Sequence, residues 1–431
     1  MKRRPLLVGW LLAGAVLCAP VLAQEPAGRG VYMIGTDMMR PVLYFFDPGT
    51  DRMITFDLTR DPKWPGGAPL HTVVVPGGDR AYLSVMSSET DPLTILALQI
   101  GEIGWDAGTA DLSIVDVIRV AEPGTAPAMA RVEQSDATQP ITALWRPANQ
   151  QLHGPTVLPN GRFVYFAQWT DDKIRVVDVS RDALATVDPI QEGALTRQIH
   201  GVFFNPSGTR AISTGYYFDL YYVTVFRVDA QSGDLEPEDV IELFAGEDRT
   251  YAALTHFVEW LDDRRALTAT QQVGPTSLTP TGTSVVGPSV WLLDAQEGTA
   301  RMIIPPTDDP RGEGIYKGAS DLMVVGDKLY VGEEDTTDDE IEASYVSVWD
   351  IRDLLAPKFL KRLSPGVELP EGWTVSHEFY RTPDGLHFYA QSYHSGHLVK
   401  IDPATDEVVK VWSKEDGFVM PHGNFVMGNL R

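Results

Sequence analysis

The chain has 431 residues and a formal net charge of −24. Its one cysteine is Cys18, so the rest of the chain offers neither a disulfide nor a thiolate ligand. This excludes iron–sulfur clusters, blue-copper sites and CxxCH haem attachment. The negative charge disfavours partners that are themselves anionic, namely nucleic acid and acidic membranes.

The first 23 residues have the pattern of a secretory signal peptide. Basic residues at 2–4 precede an apolar run from Leu6 to Leu22, and the small residue Ala23 predicts the cleavage point. No other stretch approaches the ~20 apolar residues that a membrane span needs. We therefore expect a periplasmic or secreted protein with one domain, residues 24–431, and no integral membrane segment after cleavage.

One phrase recurs along the chain: a short strand, a turn rich in Pro, Asp and Gly, and a second β-rich strand. Copies begin at His71, His153, His200, His256 and His377, with a weaker one at Lys317. Turns such as Pro159-Asn160-Gly161 supply the fixed and the positive φ that tight hairpins require. A third strand usually ends in Asp: Ile174–Asp178, Val223–Asp229, Val290–Asp294, Tyr345–Asp350 and Leu398–Asp402. A four-stranded unit with a period of roughly 40–60 residues is typical of propeller blades.

The two ends of the chain complete the ring. Six units are whole, and a seventh combines a C-terminal strand at His422 with the N-terminal strands Val31–Asp37, Val42–Asp47 and Arg52–Leu58. The predicted fold is an all-β, seven-bladed β-propeller, closed by pairing of N- and C-terminal strands in one blade, which leaves no long sheet edge exposed. The predicted insertions are Ala121–Gln151, Thr276–Val286 and Glu333–Glu342.

Histidine occupies one position in six of the seven repeats. The first strand of each blade lines the central channel, and the residue at its start is expected to point to the axis. That residue is His71, His153, His200, His256, His377 or His422, and Lys317 in the seventh. A single histidine there would be expected to bond a backbone carbonyl. Six around one axis predict a metal site, because neutral imidazole is a common metal ligand and clustered imidazoles disfavour each other's protonation.

The ligand type narrows the choice of metal. Many imidazoles without a thiolate suit copper, iron, zinc or nickel, and the affinity order favours copper. Six histidines exceed the ~4 ligands of one structural zinc. The first expectation is therefore a dinuclear or larger copper cluster, and the alternative is a mononuclear iron held by four histidines.

Other polar residues are predicted beside the ring. Lys317 is a candidate acid, base or anion anchor, and Glu378 a candidate base, although alternation along a strand is expected to turn Glu378 away from the axis. His394 is a third candidate catalytic residue. Loops between second and third strands return to the same face and supply groups that could orient the imidazoles: Asp37, Gln168, Tyr216, Asp219, Gln271, Glu333, Tyr393 and His394.

Over nearly all the mature chain, the hairpins and the third strands ending in Asp resemble the superfamily of YVTN-type seven-bladed propellers. The histidine ring is similar to that of the propeller domain of nitrous oxide reductase, and to those of thiocyanate dehydrogenase and the methanethiol oxidase/selenium-binding protein family. The resemblance implies that the six ring histidines are copper ligands. The chain departs from nitrous oxide reductase, because it has no cupredoxin domain and Lys317 stands at one position of the ring.

These features together predict an exported copper-dependent oxidoreductase that acts on a small molecule, such as an inorganic or sulfur compound, with a periplasmic electron-transfer partner. One alternative is a non-enzymatic metal-binding or partner-docking propeller. Another is an iron oxygenase with four histidine ligands. Hydrolase or lactonase propellers favour Glu, Asp and Asn at the channel, which fits the histidine register poorly.

Overall fold

The computed structural model describes residues 31–86, 92–121, 152–168, 173–185, 199–215, 222–243, 253–272, 288–307, 309–316, 318–334, 343–382, 385–392, 394–419 and 421–429. Their 28 strands form seven four-stranded antiparallel sheets. This confirms the predicted all-β, seven-bladed propeller. The predicted signal peptide lies outside the described residues. No helix in the described part of the chain is long and apolar enough to cross a membrane.

The seven sheets are numbered as blades in chain order. Blade 1 contains β28 (Pro421–Asn429), β1 (Val31–Asp37), β2 (Val42–Asp47) and β3 (Arg52–Asp57). Blade 2 contains β4 (Ala68–Val74), β5 (Arg80–Met86), β6 (Leu93–Gly104) and β7 (Thr109–Ala121). Blade 3 contains β8 (Leu152–Val157), β9 (Phe163–Gln168), β10 (Lys173–Asp178) and β11 (Ala183–Leu184). Blade 4 contains β12 (Ile199–Phe204), β13 (Arg210–Gly215), β14 (Tyr222–Val228) and β15 (Leu235–Glu242).

The remaining three blades follow the same plan. Blade 5 contains β16 (Ala253–Trp260), β17 (Arg265–Gln272), β18 (Ser289–Asp294) and β19 (Thr299–Ile304). Blade 6 contains β20 (Gly318–Val325), β21 (Lys328–Glu334), β22 (Tyr345–Asp350) and β23 (Lys358–Leu363). Blade 7 contains β24 (Ser376–Arg381), β25 (Phe388–Ser392), β26 (His397–Asp402) and β27 (Glu407–Trp412). Two single-turn 3₁₀ helices, Leu58–Arg60 and Lys414–Asp416, lie in connections.

The ring closes through the two ends of the chain. The C-terminal strand β28 is the inner strand of blade 1 and pairs antiparallel with β1, with Met33 opposite Met427. Each inner strand contacts the inner strand of the next blade, and β28 contacts both β24 and β4. The seven inner strands therefore surround one central channel.

Apolar side chains fill the spaces between neighbouring blades. Between blades 7 and 1, for example, Phe46 stacks on Phe418 with ring centroids 5.7 Å apart and meets the edge of Trp412 at 5.5 Å. Burial of such large rings stabilises each blade only against its neighbour, as in other repeat architectures. The core is thus a series of layers arranged around the channel.

Hydrogen bonds and ion pairs also connect neighbouring blades. The Tyr82 hydroxyl of blade 2 donates to Asp182 in the outer turn of blade 3, at 2.6 Å. Where the ring closes, the ammonium of Lys400 in blade 7, only 6% exposed, donates to Asp51 in the outer turn of blade 1 at 2.8 Å. These bonds hold consecutive blades in a fixed relative position.

Several strand ends differ from the predicted ones by one residue. The predicted strand Arg52–Leu58 ends at Asp57, because the Asp57 side chain caps the 3₁₀ helix that starts at Leu58. The predicted turns are confirmed at Gly161 and Gly208, which have φ of 74° and 66°. The predicted acidic insertion from Glu333 begins too early, because Glu333 and Glu334 belong to β21.

Candidate metal centre

The inner strands carry the ring histidines at irregularities in their pairing. In blade 5 the register shifts between Thr255 and Val258, and in blade 7 between Ser376 and Phe379. The inner strands of the other five blades also show a shift. A bulge of this kind breaks the alternation of a strand and re-aims its side chains. It therefore explains how neighbouring residues of one strand can both face the channel.

Five imidazoles from five blades lie next to one another. Their ring centroids are separated by 5.0 Å (His71–His153), 5.1 Å (His153–His200), 4.1 Å (His200–His256) and 4.8 Å (His256–His377). Each of the five residues is at most 9% exposed. The structure thus brings together five of the six histidines that the sequence assigned to a metal site.

For His422 the structure describes the backbone only, and it does not describe Lys317. His422 lies on β28 opposite Thr36, so its backbone belongs to the inner strand of blade 1, and its side chain is outside the description. Lys317 lies outside the described residues. The predicted roles of both side chains stay predictions.

Strand pairing corrects the alignment of blade 6. Ser320 follows Ala319 at the register shift of β20, as His256 follows Thr255 at the shift of β16. Ser320, and not Lys317, is therefore the counterpart of His256. The sequence repeat placed Lys317 at this position because the hairpin of blade 6 differs: β20 extends to Val325, which pairs directly with Lys328 across a two-residue turn.

Two ring histidines are held through their Nδ1 atoms. His256 Nδ1 lies 2.6 Å from the carbonyl oxygen of Ser320, which can only accept, so Nδ1 donates and Nε2 carries the lone pair. His377 Nδ1 lies 3.3 Å from Glu334 Oε2, and Gln271 donates to the other oxygen of Glu334. Metal-ligating histidines are usually oriented in this way, by a carbonyl or carboxylate on the nitrogen that does not bind the metal.

His71 and His153 contact each other instead. His71 Nε2 and His153 Nδ1 are 3.2 Å apart, so one nitrogen donates to the other. Burial, and then the nearby His256 and His377, lowers the pKa of His153 to about 3. Burial likewise lowers the pKa of His256 to about 3, and that of His200 well below its ordinary value of 6.5. Burial also lowers the pKa of His377, so His153, His200, His256 and His377 are uncharged at neutral pH, which is the state that binds metals.

Glu378 faces the channel, and the expectation that it turns away was wrong. Its Oε1 lies 4.0 Å from His71 Nδ1, and its Oε2 accepts from Gln391 Nε2 at 3.1 Å and from the Tyr380 hydroxyl. The bulge at His377 and Glu378 breaks the strand alternation on which the expectation depended. Burial raises the pKa of the Glu378 carboxyl, which favours its protonated form.

His394 is buried, and its pKa is lowered to about 4, chiefly by burial and then by His377 and Lys414. Of the predicted orienting groups, Gln271 acts through Glu334, which the sequence analysis did not single out. Its neighbour Glu333 faces away from the ring.

The remaining orienting candidates bind other partners or are not described. Glu333 forms a buried ion pair with Arg362 at 3.1 Å. Asp37 accepts from Arg40 at 3.0 Å, and Gln168 accepts from Arg175 at 2.5 Å. Tyr216, Asp219 and Tyr393 lie outside the described residues.

The donor chemistry fits a metal, but the donor atoms are not yet gathered around one. Among the described residues, no group of three or more His, Cys, Asp or Glu is placed so that it could hold a metal ion as it stands. The His71–His153 hydrogen bond is one reason, because a metal would have to displace the shared proton. Binding therefore requires some ring imidazoles to rotate, whereas His256 and His377 are already held through Nδ1 by groups of blade 6.

The comparisons with known proteins support the fold. Neither a protein-family model nor a curated protein matches the sequence. The solved structures similar to this chain include the periplasmic gluconolactonase of Pseudomonas aeruginosa, with a TM-score of 0.59 and 13% identity over 93% of this chain and 100% of that one. Another is a functionally unknown protein of Desulfotomaculum acetoxidans, with a TM-score of 0.56 and 12% identity over 91% and 99%.

Hydrazine synthase of Kuenenia stuttgartiensis is similar as well, with a TM-score of 0.50 and 14% identity over 82% of this chain and 88% of that one. At such identities the likeness concerns the propeller architecture alone. The chemistry of the site has to be argued from the residues of this chain.

Proposed function

We propose that this chain is an exported, copper-dependent oxidoreductase that acts on a small molecule at the histidine ring. The observation that carries the proposal is the convergence of five buried imidazoles from five blades. Imidazole donors without a thiolate suit copper among the first-row metals. Bound copper would supply a one-electron redox couple.

The residues of the chain have separate tasks in this proposal. His71, His153, His200, His256 and His377 would bind the metal, with His422 as a sixth ligand from the C-terminal strand. Glu378, beside His71 and with a raised pKa, would hold and release a proton at Oε1. His394 would be a second proton carrier. The predicted signal peptide and the excess of acidic residues suggest a periplasmic electron-transfer partner with a basic surface.

Metal analysis of the purified protein tests the proposal. We expect about one to three copper atoms per chain, since five or six imidazoles exceed the roughly four ligands that one metal takes. His200→Ala should remove copper and redox turnover while the circular dichroism spectrum stays that of a β protein. His387→Ala, at the far end of the inner hairpin of blade 7, is the matched control and should retain copper. Stoichiometric iron, or no metal, would overturn the assignment to copper.

A metal-dependent hydrolase is the second candidate, because carboxyl groups do lie beside the ring. Glu378 and Glu334 contact His71 and His377, a feature that the histidine register alone did not predict. A metal-bound water with Glu378 as the base would suit a cyclic ester such as a sugar lactone. Zinc-loaded protein that opens gluconolactone, with the activity lost in Glu378→Gln, would favour this candidate. Copper-dependent oxidation without lactone opening would favour the first.

A further inference from the structure

Blade 6 contributes no histidine to the ring, since none occurs between His256 and His377. Directly after the register shift, where blades 4, 5 and 7 have His200, His256 and His377, β20 carries Ser320, which Asp321 follows. The Ser320 carbonyl accepts from His256 Nδ1 at 2.6 Å. The Ser320 hydroxyl donates to the carbonyl oxygen of Ser376 at 2.5 Å. One residue of blade 6 therefore bonds to the histidine of blade 5 and to the backbone directly before the histidine of blade 7.

Asp321 holds the other side of the blade 7 bulge. Its Oδ2 accepts from the backbone N–H of Phe379 at 2.6 Å, and its Oδ1 accepts from the N–H of Leu322 at 2.6 Å. The side chain is only 2% exposed, so both bonds are made away from bulk water. Ser320 and Asp321 thus fix strand β24 on both sides of His377 and Glu378.

We propose that blade 6 is the positioning blade of the metal centre. The Ser320 carbonyl keeps the proton of His256 on Nδ1, and Glu334 keeps that of His377 on Nδ1, so that Nε2 of these two residues is reserved as the primary metal ligand. Asp321 holds the backbone of the strand that carries His377. The metal role rests on the proposed function above, whereas the tautomer of each histidine does not.

The contrast with blades 2 and 3 supports this assignment. His71 and His153 hydrogen bond to each other, so a metal must break that bond before both nitrogens can ligate. His256 and His377 are bonded to groups outside the ring, through the nitrogen that need not bind the metal. Preorganised ligands bind more tightly, because less ordering is required when the metal arrives.

Substitution of adjacent acidic residues in β21 provides a matched test. Glu334 accepts two hydrogen bonds, from His377 and from Gln271, and the glutamine of Glu334→Gln can accept with only one atom. We expect Glu334→Gln to weaken copper binding by about 10- to 100-fold, the usual effect of losing an orienting partner. Glu333→Gln changes the neighbouring buried carboxyl, which pairs with Arg362 and faces away from the ring. It should leave copper affinity within about threefold of the parent, because it removes no orienting partner.

Asp321→Asn is the second variant and should also weaken copper binding by about 10- to 100-fold. Copper affinity is measured by competition with a chelator, and the copper hyperfine coupling by electron paramagnetic resonance, on the full mature chain. A purely structural role would lower the melting temperature and leave affinity and hyperfine coupling unchanged. Equal loss of copper affinity in Glu333→Gln and Glu334→Gln would overturn the proposal.

A metal-free measurement separates this inference from the proposed function. Nitrogen NMR of the ¹⁵N-histidine-labelled, chelator-treated protein should show His256 and His377 as Nδ1–H tautomers, with signals assigned by His256→Gln and His377→Gln. An Nε2–H tautomer at His256 would overturn the inference whether or not copper binds. Nδ1–H tautomers in a protein that binds no copper would refute the proposed function, while blade 6 would still be the element that orients His256 and His377.

Discussion

Acid should destabilise the metal-free protein through its buried histidines. The pKa of His153 is about 3 in the folded chain, against an ordinary value of 6.5, because the imidazole is buried beside other imidazoles. Below pH 6.5 His153 therefore becomes protonated in the unfolded chain but stays neutral in the folded chain. The resulting stabilisation is complete above pH 6.5 and is lost as the pH falls towards 3.

The size of the effect follows from linkage. Each pH unit between the two pKa values costs about 1.4 kcal/mol of unfolding free energy for each such histidine. His153 and His256, both with a pKa of about 3, together cost about 4 kcal/mol between pH 6.5 and pH 5, if they titrate independently. Because domains are stable by only about 5–15 kcal/mol, this cost is at least about a quarter of the total stability.

The buried carboxyl groups act in the opposite direction. Burial raises the pKa of Glu378, so its contribution to stability is present at low pH and falls as the pH rises through the pKa of the folded state. Comparison of the parent with His153→Gln cancels the contribution of Glu378, because both proteins contain it. The slope of unfolding free energy against pH should be smaller in His153→Gln than in the parent, by about 1.4 kcal/mol per pH unit between pH 4 and pH 6.

The assay is urea denaturation of chelator-treated protein at several pH values, followed by tryptophan fluorescence. His387→Gln serves as the control, because its site is in the hairpin of blade 7, away from the ring. Equal slopes for the parent and His153→Gln would refute the reasoning, since His153 would then take up its proton in the folded state.

Three further predictions concern the scaffold. Tyr82→Phe removes the bond to Asp182 between blades 2 and 3 and should cost about 1–3 kcal/mol, measured as a lower urea midpoint. Glu333→Gln leaves the buried Arg362 without its carboxylate and should cost about 3–5 kcal/mol in the same assay, while a change below 1 kcal/mol would mean that the pair is solvated. Deletion of residues 421–431 removes the inner strand of blade 1 and exposes the edge of β1, so size-exclusion chromatography should show aggregation or an expanded chain. A compact monomer with unchanged melting would contradict closure of the ring by β28.

The sequence predicted part of the candidate site and missed the residues whose orientation depends on strand pairing. The sequence placed His256 and His377 on inner strands because those strands recur with their turns. It could not show that Glu378 also faces the channel, because a bulge adds a residue without changing the local pattern. Nor could it separate Glu334 from Glu333, since the alternation that decides between them depends on the pairing of β21 with its neighbours.

The sequence by itself determined the architecture: all-β blades, seven in number, closed by the two ends of the chain. Turn chemistry and strand periodicity are local, and a repeated local pattern is sufficient to define a repeated unit. Only the tertiary structure decided the environment of the histidines, including the Ser320 carbonyl on His256 and the contact of His71 with His153. Those contacts join residues far apart in the chain, so they depend on how neighbouring blades pack around the channel.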